Sequence, residues 1–82
     1  MTFTDRLDQA QVAVLDSLAP GGILCVESIA RSAQLTLWRT RGAVSKLTSR
    51  GLIVGRHRGG RGMWQIADRG RRTLAARGRY YR

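Results

Sequence analysis

Apolar residues recur at three- and four-residue steps early in the chain, at Leu7, Ala10, Val14, Leu15 and Leu18. That spacing lays one apolar stripe along a helix and predicts a first helix from about Thr4 to Leu18. Thr4 and Asp5 supply its capping oxygens, and Asp5 and Asp8 in the first turn complement the helix dipole. Pro20-Gly21-Gly22 ends the run. Ile23-Leu24 is too short for a helix and predicts a brief strand. Helical spacing returns from Cys25 to Ala33, with Val26, Ile29, Ala30 and Ala33 on the inner face. Gln34 and Leu35 form a turn. Thr36 then caps a third helix from about Leu37 to Arg50, whose inner face is Thr40, Ala43, Val44 and Leu47. Thr40 is polar where Val or Ile is usual, so its hydroxyl is expected to bond the carbonyl one turn back. Gly51 closes the helix.

The period changes after Gly51. Leu52-Ile53-Val54 starts a strand toward His57, and Gly62-Met63-Trp64-Gln65-Ile66 is the returning strand. The glycine-rich turn Arg58-Gly59-Gly60-Arg61 joins them into a β-hairpin. Alternation puts Trp64 and Ile66 on one face, with Trp64 read as core, and Met63 and Gln65 on the other. A last short helix runs from Asp68 to about Arg77, anchored by Leu74 and stopped by Gly78. Arg79-Tyr80-Tyr81-Arg82 is a basic, aromatic tail. Its tyrosines pack on the first helix, join a dimer contact, or hang free. The fold class is α+β: a three-helix core, a short strand plus hairpin, and a short C-terminal helix. All of it falls in one expected domain, 1–82.

Charge sharpens this picture. The 82 residues carry fifteen Lys and Arg against five Asp and Glu, a formal net charge of +10. Up to Leu35 there are two Arg against four acids, a balance of −2; beyond it, thirteen basic residues face Asp68 alone, a balance of +12. Such repulsion does nothing for a small core, whereas a one-sided positive field suits a polyanion. Arg outnumbers Lys fourteen to one, and Arg forms forked hydrogen bonds with phosphate and guanine.

The order of elements is helix, strand, helix, turn, helix, hairpin, helix. Ser28-Ile29-Ala30 looks like the "eLA" that opens the second helix of MarR-like regulators. Seventeen positions separate Ala30 from Leu47, as in those proteins between that Ala and the Leu before "xxxGLI". Here the latter reads Leu47-Thr48-Ser49-Arg50-Gly51-Leu52-Ile53. Ile66-Ala67-Asp68-Arg69-Gly70-Arg71 resembles their "LTxxGR", with Ala67 where a capping Thr is usual and Asp68 expected to cap instead. About two-thirds of the chain thus resembles a MarR-like winged helix-turn-helix domain. The resemblance implies a helix-turn-helix over about 25–50, a wing over about 52–67 and a C-terminal helix over about 68–78.

In that fold the second helix of the pair lies in the major groove with its N-terminal residues at base edges. The expected contacts are Thr36, Leu37, Trp38, Arg39, Arg41, Gly42, Ser45 and Lys46. Arg39 and Arg41 cannot face the same way, so one reaches a base while the other meets the backbone. Trp38 faces either DNA or a protein partner. Thr36 and the amides after it suit a phosphate. Gly42 costs about 1 kcal/mol relative to Ala inside a helix, which close approach to DNA would explain. From the wing, Arg56, Arg58, Gly59, Gly60 and Arg61 are expected to reach the adjacent minor groove, where Arg favours narrow A·T tracts. His57 meets a phosphate or solvent.

The remaining composition mostly excludes. Cys25 is the single cysteine, so no internal disulfide or Cys-rich zinc site forms, and it reads as a small buried hydrophobe. One His and one Cys are too few for a metal cage. No catalytic arrangement, cofactor or small-molecule ligand is expected, and no apolar run is long enough to span a membrane. The N-terminus does not read as a secretory signal, and the composition fits a reducing cytoplasm. One winged domain makes a small interface of about 600–1,000 Å² with DNA, so a homodimer through the first helix and the tail is expected. The leading function is a sequence-specific regulator binding double-stranded DNA, a small repressor-like or phage-type protein. The alternatives are an architectural or recombination accessory protein, an interaction module gripping an acidic partner, and an RNA-binding protein.

Overall fold

The structure is a computed structural model that describes residues 7–58 and 61–80, with side chains over 7–56 and 62–76. The elements run α1 (Gln9–Leu18), α2 (Val26–Ala33), α3 (Leu37–Ser49), β1 (Ile53–Arg58), β2 (Arg61–Ile66) and α4 (Asp68–Tyr80). The α+β class and the helix–helix–helix–hairpin–helix order match the pattern of the sequence.

Three features differ from it by more than a residue. The first helix begins at Gln9, not near Thr4. Asp8 stands outside it in an extended conformation, and its carboxylate accepts the Gln11 N–H at 2.8 Å. Asp8 is therefore the cap and not a first-turn residue; Thr4 and Asp5 lie outside the described residues. Ile23-Leu24 is not a strand but a single bridge: Leu24 N–H donates to the Trp64 carbonyl (2.9 Å) and Trp64 N–H to that of Leu24 (2.8 Å). One bridge is what two residues between Gly22 and the next helix can supply. At the far end α4 continues through Gly78 to Tyr80. A helix-interior glycine costs only about 1 kcal/mol, too little to stop a helix alone. Asp68 is already the first residue of α4 and complements its dipole, while the Ala67 carbonyl accepts the Arg71 N–H at 3.1 Å.

The core lies where α1 packs on α2 and α3, and against β2. Val14, Leu15, Leu18, Ile29, Leu47 and Ile53 are buried, and Leu7, Trp64 and Leu74 close its edges. Gln11 is buried as well, and its Oε1 meets no donor among the described residues. The turn between α2 and α3 is tight. Gln34 takes a left-handed φ of 58° and Leu35 N–H donates to the Ala30 carbonyl at 2.9 Å, which aims α3 away from α2. At the other end of α3, Gly51 takes φ 74°, a conformation that favours glycine. This turns the chain into β1 without a linker.

The hairpin pairs Ile53 with Ile66, Gly55 with Trp64 and Arg58 with Arg61. Trp64 and Ile66 share the inner face, as alternation predicted. Where α4 crosses the base of the hairpin, Gly70 is buried. A Cβ there would collide with the Leu52 carbonyl oxygen and stand 2.8 Å from Ile66 Cγ1. Two long-range bonds from α4 hold the helix ends: Arg71 Nη1 donates to the Ala19 carbonyl (2.8 Å) after α1, and Arg69 Nη1 to the Arg50 carbonyl (3.3 Å) after α3. Among the described residues, no helix is long and apolar enough to cross a membrane.

Candidate nucleic-acid interface

The cap and core face of α3 decide which side chains point outward. Thr36 Oγ1 accepts the Arg39 N–H at 3.1 Å, and the Thr36 carbonyl accepts the Thr40 hydroxyl at 2.8 Å. Both bonds match what the sequence predicts for these two threonines. Thr40, Ala43, Val44 and Leu47 are buried against the core. At about 100° per residue, Trp38, Gly42, Ser45 and Ser49 then fall within roughly 60° of one another on the opposite side. Arg41 stands on one flank of that line, and Arg39 and Lys46 on the other. All of these residues are exposed, Trp38 to 84% and Leu37 to 41%. No acid occurs within Leu37–Ser49.

The wing meets this helix along one flank. Arg41, Val44, Ser45, Thr48 and Ser49 of α3 face Gly62 and Trp64 of β2 across a concavity of about 770 Å³. Its third wall is the start of α2: Cys25, Val26 and Glu27. Val26, Val44 and Trp64 supply the apolar part of its lining. Arg41, Ser45, Thr48 and Ser49, all exposed, supply a polar part. Arg39 takes no part in lining it, so the two arginines do face apart, as their spacing requires. On the outer face of the wing, Arg56 is exposed and its Nε–H donates to Gln65 Oε1 at 3.1 Å across the strands. Gly59 and Gly60 lie outside the described residues, as do the side chains of His57, Arg58 and Arg61.

Several features were not visible in the sequence. Thr48 and Ser49 sit one turn after the expected contacts, and only the hydroxyl periodicity Ser45–Thr48–Ser49 hints at them. Cys25 is not a buried hydrophobe. It is half-buried at the position before α2 and lines the concavity, with its Sγ 3.4 Å from Ser28 Oγ. Hydrogen bonds from the Ser28 side chain and then its backbone hold the thiol below its ordinary pKa. Arg71, which the sequence offers with Arg72, Arg77 and Arg79 as no more than a DNA-backbone contact, is engaged on a helix-end carbonyl, as is Arg69. Tyr81 and the side chains of Arg77, Arg79 and Tyr80 lie outside the described residues. No group of three His, Cys, Asp or Glu able to hold a metal occurs among the described residues.

No family model matches this chain, and no curated protein matches it in sequence. Solved structures do. BpsR of Bordetella bronchiseptica, whose DNA binding is regulated by 6-hydroxynicotinic acid, superposes with a TM-score of 0.80 at 21% identity, over 85% of this chain and 52% of that one. The present chain thus spans about half the length of BpsR. A homodimeric winged helix-turn-helix DNA-binding domain of Mycobacterium bovis, for which ArsR-family membership has been suggested, matches with a TM-score of 0.73 at 29% identity, over 87% of this chain and 67% of that one. A crystal structure of a 1–100 fragment from the same organism gives 0.78 at 25% identity, over 96% and 86%.

Proposed function

This chain has the winged helix-turn-helix fold, and from that premise we propose that it is a sequence-specific regulator that binds double-stranded DNA, akin to the MarR-like proteins. The observation that carries the reading is the concavity in which one flank of α3 faces the wing. A helix laid in a major groove leaves the neighbouring sugar-phosphate strand to pass between that helix and its wing. Hydroxyls and Arg41 in the lining of the concavity suit a phosphate strand, and the outermost line of α3 is left for base edges. In this reading Trp38 and Arg39 reach the bases at the N-terminal half of α3. Arg41, Ser45 and Lys46 bracket them, and the Thr36 end of the helix suits a phosphate. Arg56, Arg58 and Arg61, with Gly59 and Gly60, carry the wing to the flanking groove. A homodimer through α1 and the C-terminal segment would double a small footprint; the homodimeric Mycobacterium domain supports a dimer as such. Repression and a cytoplasmic setting fit the same role, and no catalytic or cofactor chemistry is assigned.

Selection of binders from a random duplex pool, followed by affinity measurement, tests this. A preferred sequence is expected to bind well above random duplex at moderate salt. Arg39→Ala is expected to erase about 5- to 150-fold of that preference, the range of one forked Arg–base contact, whereas Arg41→Ala is expected to weaken binding to all duplexes alike. Equal affinity for every sequence would point to the architectural role instead. Weak duplex binding beside a stable complex with an acidic protein would point to the interaction module.

A further inference from the structure

Gly42 stands in the middle of α3, where glycine weakens a helix relative to alanine. Among the described residues nothing asks for it. It is exposed, its φ is not left-handed, and a Cβ built on it meets nothing within 4 Å. One turn earlier on the same line, Trp38 leaves 84% of its surface in solvent. A large aromatic without a partner and a helix residue without a side chain are each unfavourable to the isolated fold. They occur here at i and i+4, which are neighbours on a helix surface. A helical side chain leans toward the N-terminus, so a group at 42 would cover the turn that bears Trp38. With glycine there, the helix backbone beside Trp38 stays bare.

We propose that Trp38 and Gly42 form an apolar notch that receives the C5-methyl of a thymine. The proposal rests on α3 entering the duplex, and it adds what the centre of that helix reads. Of the groups on the major-groove edges of base pairs, the thymine methyl is the apolar one; the others donate or accept hydrogen bonds. Neither indole face nor bare helix backbone offers a strong partner to those others, because the helical amides are already bonded to carbonyls within α3. The flanking Arg39, Arg41 and Lys46 carry the polar contacts, which leaves the notch for shape and a methyl. Gly42 is therefore a positioning residue for the methyl, and Trp38 contacts it.

The test begins with the duplex selected by the wild-type chain, in which each thymine is replaced in turn by deoxyuridine. At one thymine, loss of the methyl is expected to weaken wild-type binding by about fourfold, the transfer value of one such group. Gly42→Ala is expected to bind that duplex more weakly and to lose sensitivity to the methyl at that position, and Trp38→Ala likewise. Gly42→Ala is also expected to raise Tm by about 4–8 °C, which separates a binding defect from a folding defect. The notch is overturned if no thymine methyl matters, or if Gly42→Ala keeps full affinity and the same methyl dependence. In those cases a selected sequence and an effect of Arg39→Ala would leave the regulator reading standing. Failure to select any sequence would overturn both.

Discussion

Thr36, Thr40 and Gly51 act on the chain within four residues of themselves, and that locality made them legible. A cap oxygen, a hydroxyl bonded one turn back and a left-handed helix end are each written in a short stretch of sequence. Asp8 was harder, because Thr4 and Asp5 compete for the same role by the same rule. Arg69 and Arg71 were not legible at all. Their acceptors lie 19 and 52 residues away, and no local pattern distinguishes them from guanidiniums in solvent. Gly70 is the sharpest case. The sequence shows a glycine in a familiar motif, but the reason is the Leu52 carbonyl pressed against its Cα side. Gly70→Ala must push α4 off the base of the hairpin. It is expected to destabilise the fold by about 1–3 kcal/mol, read as a lower urea midpoint; an unchanged midpoint would mean that α4 does not sit this close to Leu52.

At the scale of elements, the three core helices followed from apolar spacing, because burial on one face enforces that period. The hairpin followed from glycine punctuation and alternation. What the pattern did not contain is how the hairpin is tied down. One reciprocal pair of bonds between Leu24 and Trp64 anchors β2 to the segment before α2, and this sets the wing beside α3. The concavity exists because of that anchor, so its Thr48, Ser49 and Cys25 walls could not be read from α3 alone. The exposed side of α3 carries its own prediction. Lys46 lies toward the C-terminal half, on the flank shared with Arg39, where an ammonium serves as a point charge for phosphate and not as a base reader. Lys46→Ala is expected to weaken binding to all duplexes alike. It should also flatten the slope of log affinity against log salt by about 0.9, the value of one phosphate contact on B-DNA. A loss of sequence preference with an unaltered slope would instead place Lys46 at a base edge.

Across the whole molecule, charge and architecture divide the same way. Four of the five acids fall before α3, while α3, the wing and α4 carry eleven of the fifteen Lys and Arg. The sequence showed this imbalance, and the structure gives it a shape: an exposed helix face without acids, set across a groove from a hairpin. The positive field is therefore centred on the half of the chain that the proposal sets against DNA. Mapping backbone amide shifts of the labelled chain during titration with a short duplex examines this surface most directly. The largest changes are expected along Thr36–Ser49 and through the two strands of the wing, with α1 nearly silent. Changes gathered on α1 and α4, with α3 unmoved, would contradict a duplex that takes α3 in its groove and passes one strand between α3 and the wing.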